Sequence, residues 1–73
     1  MTHKVIARDE NGDLKEWIAN AWLGTGTGTL IHVFEHHYGL SLLNTRERTN
    51  GLSNFYVIFP SEEEATMFIL RWS

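Results

Sequence analysis

Residues 50–65 read NGLSNFYVIFPSEEEA, and this stretch contains a turn, a strand and the first turn of a helix. Asn50-Gly51 is a strong turn signal because both residue types tolerate a positive φ. The run 52–59 is rich in β-branched and aromatic residues, which favour strands. Pro60 then ends the strand, since proline has no backbone N–H to donate to a ladder. The stretch therefore predicts a hairpin arm that leads into a helix.

The predicted helix begins after Ser61. Ser61-x-x-Glu64 matches a capping box, and its acidic residues stand at the positive end of the helix, where negative charge is stabilising. Apolar residues then recur at helical spacing, so we expect a helix from Glu62 nearly to the end of the sequence. Its buried stripe is predicted to consist of Ala65, Phe68, Ile69 and Trp72.

The other arm of the hairpin is predicted in residues 40–49, LSLLNTRERT. A two-residue turn places Leu43 opposite Ile58 and Thr45 opposite Tyr56. The arm that follows the turn is the more hydrophobic of the two, so we expect it to be the central strand of a sheet.

Alternation along this second arm gives it two distinct faces. One face carries Phe55, Val57 and Phe59, and the other carries Tyr56 and Ile58.

The N-terminal part begins with a short β-prone run at 4–8 and a polar turn at 9–12. Two continuations fit the next residues. The run 14–18 can return as the second arm of a hairpin, or Asp13 can cap a helix with Glu16 completing an Asp-x-x-Glu box. Helical spacing of the apolar residues favours a helix from Asp13 to about residue 23. The stripe consists of Leu14, Trp17, Ile18, Ala21 and Trp22.

Residues 24–29 read GTGTGT, and we expect a loop because Gly and Thr have low helix propensity. The segment lacks both the lysine of a phosphate-binding loop and the glycine spacing of a dinucleotide fingerprint. A second helix is predicted from about Thr29 to Tyr38, with Gly39 as its stop. Its buried stripe is predicted to consist of Leu30, Ile31, Phe34 and Tyr38.

These elements predict a single α+β domain over residues 1–73, with a small antiparallel sheet packed with helices and the order β-α-α-β-β-α. A chain of this length buries only about 60% of its unfolded surface, so its stability margin is expected to be thin. The predicted core consists of Val5, Ile6, Leu14, Ile18, Leu30, Phe34, Leu42, Phe55, Val57, Phe59, Phe68 and Ile69.

Composition narrows the classes of function. Nine acidic residues against six Lys and Arg give a net charge of −3, the reverse of the balance in a protein that binds phosphate backbones. The absence of cysteine excludes disulfides and thiolate metal sites. No apolar run approaches the length of a membrane span, and no apolar signal segment opens the sequence. We therefore expect a soluble, cytoplasmic protein without a membrane contact.

The sequence HVFEH at 32–36 formally matches H-x-x-E-H, the inverted zinc-protease motif. His32 and His36 share a helical face, but a catalytic zinc site needs a third protein ligand and a substrate cleft. We expect a solvated polar face, and a small metal-dependent hydrolase is the weakest of three hypotheses. Since no nucleophile or acid–base set can be argued either, we expect no enzyme activity, no metal and no cofactor.

Nine aromatic residues are many for this length, and a small globule need not hide them all. An aromatic side chain left outside is a candidate contact with a partner, including a second copy of the chain. The candidate partner-binding residues are Trp17, Trp22, Tyr38, Tyr56 and Trp72.

Residues 48–65 resemble the third strand and second helix of an RNA-recognition motif. Residues 57–59 match its V-x-F, with Tyr56 at one base-stacking position and Asn54 at the other, where an aromatic is expected. The resemblance implies a sheet-plus-helix arrangement and a nucleic-acid-binding module. The predicted order departs from that family by an extra helix and by the lack of a fourth strand.

Residues 59–73 follow the pattern F-x-x-E-x-x-A-x-x-F-x-L-x-W and are similar to the C-termini of small proteins of tailed bacteriophages. This resemblance implies a phage accessory protein that acts in the host cytoplasm by binding and blocking a host enzyme or defence complex. With the acidic charge and surplus aromatics, it favours a protein-binding inhibitor or adaptor as the function. A nucleic-acid-binding module is the alternative, although the charge makes nucleic acid the less favoured partner.

Overall fold

The computed structural model describes residues 1–26 and 28–73, except the side chains of residues 46, 47 and 49. The predicted order β-α-α-β-β-α is confirmed, and Thr27 of the predicted loop lies outside the described residues. The elements are β1 (His3–Ile6), α1 (Glu16–Leu23), α2 (Leu30–His32) with a π-helical turn (Val33–His37), β2 (Ser41–Thr49), β3 (Leu52–Phe59) and α3 (Glu62–Trp72).

The sheet has the strand order β1-β3-β2, and both outer strands run antiparallel to β3. The prediction that β3 is the central strand is therefore confirmed. β1 and β2 are parallel to each other, and the chain between them forms α1, α2 and the π turn. This is a split β-α-β arrangement in which β3 occupies the space between the two parallel strands.

The hairpin turn has the predicted type, but its register is different. Asn50 and Gly51 both have a positive φ, 52° and 77°, as a two-residue type I′ turn requires. Farther along, Leu43 lies opposite Tyr56 and Ser41 opposite Ile58, so the predicted pairs are wrong. The cause is a register shift between Asn44 and Arg48, where residues 45–47 of β2 face residue 54 of β3. The predicted faces of β3 are preserved, because they follow from alternation along β3 itself.

α1 begins later than predicted. The Asp9 carboxylate accepts hydrogen bonds from the backbone N–H groups of Asn11 (2.9 Å) and Asp13 (3.1 Å), which holds the polar turn together. Leu14 then forms an isolated antiparallel bridge with Arg8. The helix follows Lys15, so the prediction that Asp13 caps it is wrong. Each of the two predicted continuations is therefore present in part. Leu14 first pairs back with Arg8, and the helix then follows.

The second helical segment has the predicted ends and an unpredicted π turn. The Thr29 hydroxyl accepts from the His32 backbone N–H at 3.2 Å, and Gly39, with φ 69°, follows the last turn. The Tyr38 N–H donates to the Val33 carbonyl at 3.2 Å, a bond that spans five residues. Leu30, Val33 and Phe34 recur at helical spacing i, i+3 and i+4 and face inwards, so Val33 is buried, whereas Ile31 lies outside this stripe and is 57% exposed. The predicted stripe is therefore wrong at Ile31.

The core lies between the sheet and the helices. Its buried apolar residues are Ala7, Trp17, Ile18, Ala21, Val33, Phe34, Val57, Phe59 and Ala65. Most other members of the predicted core are half-buried and pack against this cluster, namely Val5, Leu14, Leu30, Leu42, Phe55, Phe68 and Ile69. Ile6 is the exception, because it is paired with Tyr56 on the opposite face of the sheet.

α3 closes the core as predicted. The Ser61 hydroxyl accepts from the Glu64 backbone N–H at 3.2 Å, and Ala65 is buried. Phe68 lies at the centre of an aromatic cluster, so α3 is joined through one ring to α1, the π turn and β3. The rings whose centroids lie 5.1–6.5 Å from that of Phe68 belong to Trp17, Phe34, Tyr38, Phe59 and Trp72.

A candidate partner-binding surface

The two faces of the sheet have different surroundings. The face that carries Val57 and Phe59 contributes to the core and is covered by the helices. The opposite face, which we call the open face, carries the side chains of alternate residues on all three strands. In the described part of the chain, no helix packs over it. Its residues are Lys4, Ile6, Ser41, Leu43, Tyr56 and Ile58.

Strand register arranges the open face in two rows. Tyr56 on the central strand lies between Ile6 on β1 and Leu43 on β2. Ile58 lies between Lys4 and Ser41 in the next row. Neighbouring strands are separated by about 4.8 Å, so the members of each row are in contact range. The apolar residues thus form one continuous patch.

The open face is more apolar than its position predicts. A solvated face of an antiparallel sheet usually carries polar residues. Here Leu43 is 44% exposed, and Ile6, Tyr56 and Ile58 are half-buried without belonging to the core. The ammonium group of Lys4 lies 5.8 Å from the centroid of the Tyr56 ring, which places one cation at the edge of the patch. An uncovered apolar patch of this kind is typical of an interaction surface.

Among the five aromatic residues proposed from the sequence, Tyr56 is on the open face. Trp17 is 5% exposed and packs on Phe59 and Phe68, so it is a core residue rather than a surface contact. Trp22 is half-buried, and its indole N–H donates to the Gly28 carbonyl at 3.1 Å. The structure therefore does not bring the five together in one surface.

Tyr38 and Trp72 belong to a cluster on the helical side of the molecule. Their ring centroids are 6.1 Å apart, and the Tyr38 hydroxyl donates to the Ala21 carbonyl at 2.6 Å. Burial raises the pKa of the Tyr38 phenol, and the nearby Arg71 charge lowers it by less. The Trp72 indole N–H is buried without an acceptor among the described residues. Both side chains connect α3 to the rest of the helical layer.

Asn54 has a structural role that the sequence did not reveal. It is 4% exposed, and its side-chain oxygen accepts from the backbone N–H groups of Arg8 (3.1 Å) and Phe55 (2.8 Å). These bonds give acceptors to two backbone N–H groups, one just after the end of β1 and one in β3. Asn54 is thus not available for the base-stacking position at which the resemblance to an RNA-recognition motif places it.

Three of the four histidines, His32, His36 and His37, lie on the solvent side of the second helical segment. His32 and His36 are exposed, and their ring centroids are 4.7 Å apart. Among the side chains that the structure describes, no group of three His, Asp or Glu is arranged to hold a metal ion. Within that part of the chain, the pair has no third ligand of the kind that a zinc site requires.

Comparison with known proteins gives no relative. No protein family, no curated protein and no solved structure matches the chain. In the part of the chain that the structure describes, no helix is long and apolar enough to cross a membrane.

Proposed function

We propose that this protein is a binding module that recognises another protein through the open face, and that it acts as an inhibitor or adaptor. The observation that supports this most is the patch formed by Ile6, Leu43, Tyr56 and Ile58, four apolar side chains in two adjacent rows without a cover. Burying such a patch against a partner releases water from apolar surface, which is the main source of affinity in protein association.

The chemistry of the patch favours a protein over a nucleic acid. Lys4 is the one cation among the six residues named for the open face, and the whole chain has a net charge of −3. Sequence-independent affinity for nucleic acid comes from many cations that neutralise phosphates. The resemblance of residues 59–73 to phage accessory proteins suggests a host protein as the partner. We propose accordingly that binding blocks a host enzyme or defence complex.

The size of the patch determines its role within an interface. A row of three strands spans about 10 Å, whereas a stable protein complex buries roughly 800 Å² on each partner. The open face is therefore the apolar centre of a larger contact. Leu52, at the hairpin end of the same strand, is 47% exposed and offers a further apolar contact.

The test is a capture experiment from host lysate with matched variants. Tyr56→Ser and Leu43→Ser remove apolar contacts from the open face, and Leu70→Ser on α3 is the control because Leu70 is also strongly exposed. We expect one protein to be captured saturably by the parent and by Leu70→Ser, with at least about tenfold weaker binding to the other two variants. Equal capture by all four proteins, or a loss with Leu70→Ser alone, contradicts the proposal.

One observation favours a second candidate, a module for single-stranded nucleic acid. Tyr56 is on the open face of the central strand with Lys4 beside its ring, and stacking of a base on an aromatic ring contributes about 1–3 kcal/mol. Fluorescence anisotropy with labelled oligo-uridine and oligo-thymidine over a salt series tests this candidate. Affinity that falls steeply with salt and is lost in Tyr56→Ser would support it over the protein partner.

A further inference from the structure

A groove lies on the other side of the sheet, between the second helical segment and the outer strand β2. Its volume is about 340 Å³. The groove lies on the helix-covered side because Leu42, Asn44 and Phe55 belong to the face opposite Tyr56. The side chains that line it and matter here are Leu30, Ile31, Glu35, Leu42, Asn44 and Phe55. We call it the β2 groove.

The hydrogen-bonding direction of β2 can be derived from the opposite edge of the sheet. The Ala7 N–H donates to the Phe55 carbonyl at 2.9 Å, so the backbone groups of residue 55 point towards β1. Direction alternates along an antiparallel strand, so the backbone groups of residues 56 and 58 point towards β2. Their partners there are Leu43 and Ser41. The N–H and C=O groups of Leu42 and Asn44 consequently point away from the sheet.

The free edge and the groove therefore involve the same two residues. Leu42 and Asn44 direct their side chains into the groove and their backbone groups outward beside it. An exposed row of N–H and C=O groups is a template for another strand. Recognition by strand addition combines such main-chain bonds with pockets for alternate side chains of the added strand.

We propose that the β2 groove binds an extended peptide segment of a partner, which adds as a fourth strand along residues 41–44 of β2. The segment carries an aliphatic side chain that enters the apolar part of the groove, between Leu30 and Phe55. It also carries a Lys or Arg on the same side, two residues away, that pairs with Glu35. Alternate side chains of the segment enter the groove. The remaining side chains of the segment face solvent.

Charge decides between this peptide and a second copy of the chain. Glu35 is the one charged side chain that lines the groove among the described residues, and it is exposed at the surface. A second copy would bring another net charge of −3 and another Glu35 to a symmetric β2–β2 contact, which is repulsive. A basic, extended peptide is complementary to the same features. The proposal is independent of the open face, which lies on the opposite side of the sheet.

The experiment uses the full chain and a displayed library of random twelve-residue peptides. We expect selected peptides to share an apolar residue and a Lys or Arg two positions apart. The strongest synthetic binder is then added to labelled protein, and amide hydrogen exchange is followed by NMR. Exchange should slow at least about tenfold at the N–H groups of Leu42 and Asn44, with a smaller change at Leu43, whose N–H already faces β3.

Three variants at the groove and two controls away from it separate this site from its alternatives. Ile31→Ala and Glu35→Gln should each weaken peptide binding by about tenfold or less, and Asn44→Pro should weaken it more because it removes an outward N–H from an edge strand. Leu70→Ala and Tyr56→Ser are controls that should bind normally. Normal binding by Tyr56→Ser also separates this proposal from that for the open face, since either can fail without the other.

Three outcomes would overturn the proposal. The first is a library that yields no binder above background. The second is a bound peptide that leaves exchange at Leu42 and Asn44 unchanged or shifts the resonances of the open face instead. The third is protection of these two amides that rises with protein concentration in the absence of peptide, since this would assign the edge to a second copy.

Discussion

Val57 and Ile58 are neighbours on the central strand, and they face two different environments. Val57 is fully buried between the sheet and the helical layer, whereas Ile58 is half-buried in the open face between Lys4 and Ser41. The backbone of β3 is common to both, so the difference comes from the side to which each side chain points. A single strand thus contributes to the core through one set of alternate residues and to the uncovered open face through the other.

The largest effect is expected in the aromatic cluster that covers the sheet. Phe68→Ala removes the ring shared by α1, the π turn, β3 and α3, and should lower the free energy of unfolding by about 3–5 kcal/mol. Urea denaturation followed by circular dichroism measures this change. Met67→Ala, at an exposed neighbouring position on α3, is the control and should change stability by less than about 0.5 kcal/mol. Similar midpoints for both variants would contradict the central position of Phe68 in the cluster.

Val57→Ala and Ile58→Ala test the difference between the two faces of β3. Val57→Ala leaves a cavity in the core and should cost about 2 kcal/mol, because two buried methyl groups are lost. Ile58→Ala removes more atoms but from a half-buried site, so we expect a loss of about 1 kcal/mol or less. Thermal and urea melts of the two proteins should place Ile58→Ala closer to the parent. The reverse order would mean that the open face is covered in solution.

Gly24→Ala tests how tightly the helical layer closes. Gly24 has an ordinary helical φ of −63°, but a β-carbon there would lie 2.8 Å from the Trp72 ring. Displacing that ring should cost about 1–2 kcal/mol, despite the better helix propensity of alanine. We expect a changed near-ultraviolet circular dichroism signal from tryptophan together with a lower melting temperature. In a Trp72→Leu background the same substitution should have no destabilising effect, and an unchanged penalty there would contradict the contact.

Tyr38→Phe is expected to have the smallest effect, with a dependence on pH. It removes the hydrogen bond from the Tyr38 hydroxyl to the Ala21 carbonyl, a loss of about 1 kcal/mol at neutral pH. Burial raises the pKa of the folded phenol, so the unfolded chain loses this proton first as pH rises through about 10. The contribution of Tyr38 is therefore complete below that pH and declines above it. Urea titrations at pH 7 and 10.5 should show the difference between parent and variant narrowing, and a constant difference would contradict the assignment.

The sequence predicted those parts of the fold that depend on local patterns. Three such features are observed: the Asn50-Gly51 turn, the Ser61 cap and the alternating faces of β3. Each of them is decided by residues that are close together in the sequence. The aromatic residues that α3 contributes to the cluster were predicted for the same reason. Among the residues of the open face, Tyr56 was also predicted from the sequence as a partner-binding residue. The face of the sheet on which it lies follows from alternation along β3.

Features that depend on distant contacts were not predictable. The position of Leu14 is decided by its bridge to Arg8 and by the bonds of the Asp9 carboxylate, so the start of α1 does not follow from helical spacing. The β2 groove exists because the π turn is placed beside β2, and no short pattern in the sequence signals it. Ala7 and Trp17 are core residues that were absent from the predicted core. They are buried because elements far apart in the sequence pack together around them.

The register shift in β2 has a consequence for the evolution of this domain. Three residues, 45–47, occupy the length for which β3 uses residue 54 alone. Removing two of the three would give a regular ladder and leave Leu42 directed inward. Removing one would leave two residues opposite residue 54, which is the count of an ordinary β-bulge. This part of β2 is therefore expected to tolerate changes in length that the rest of the strand does not.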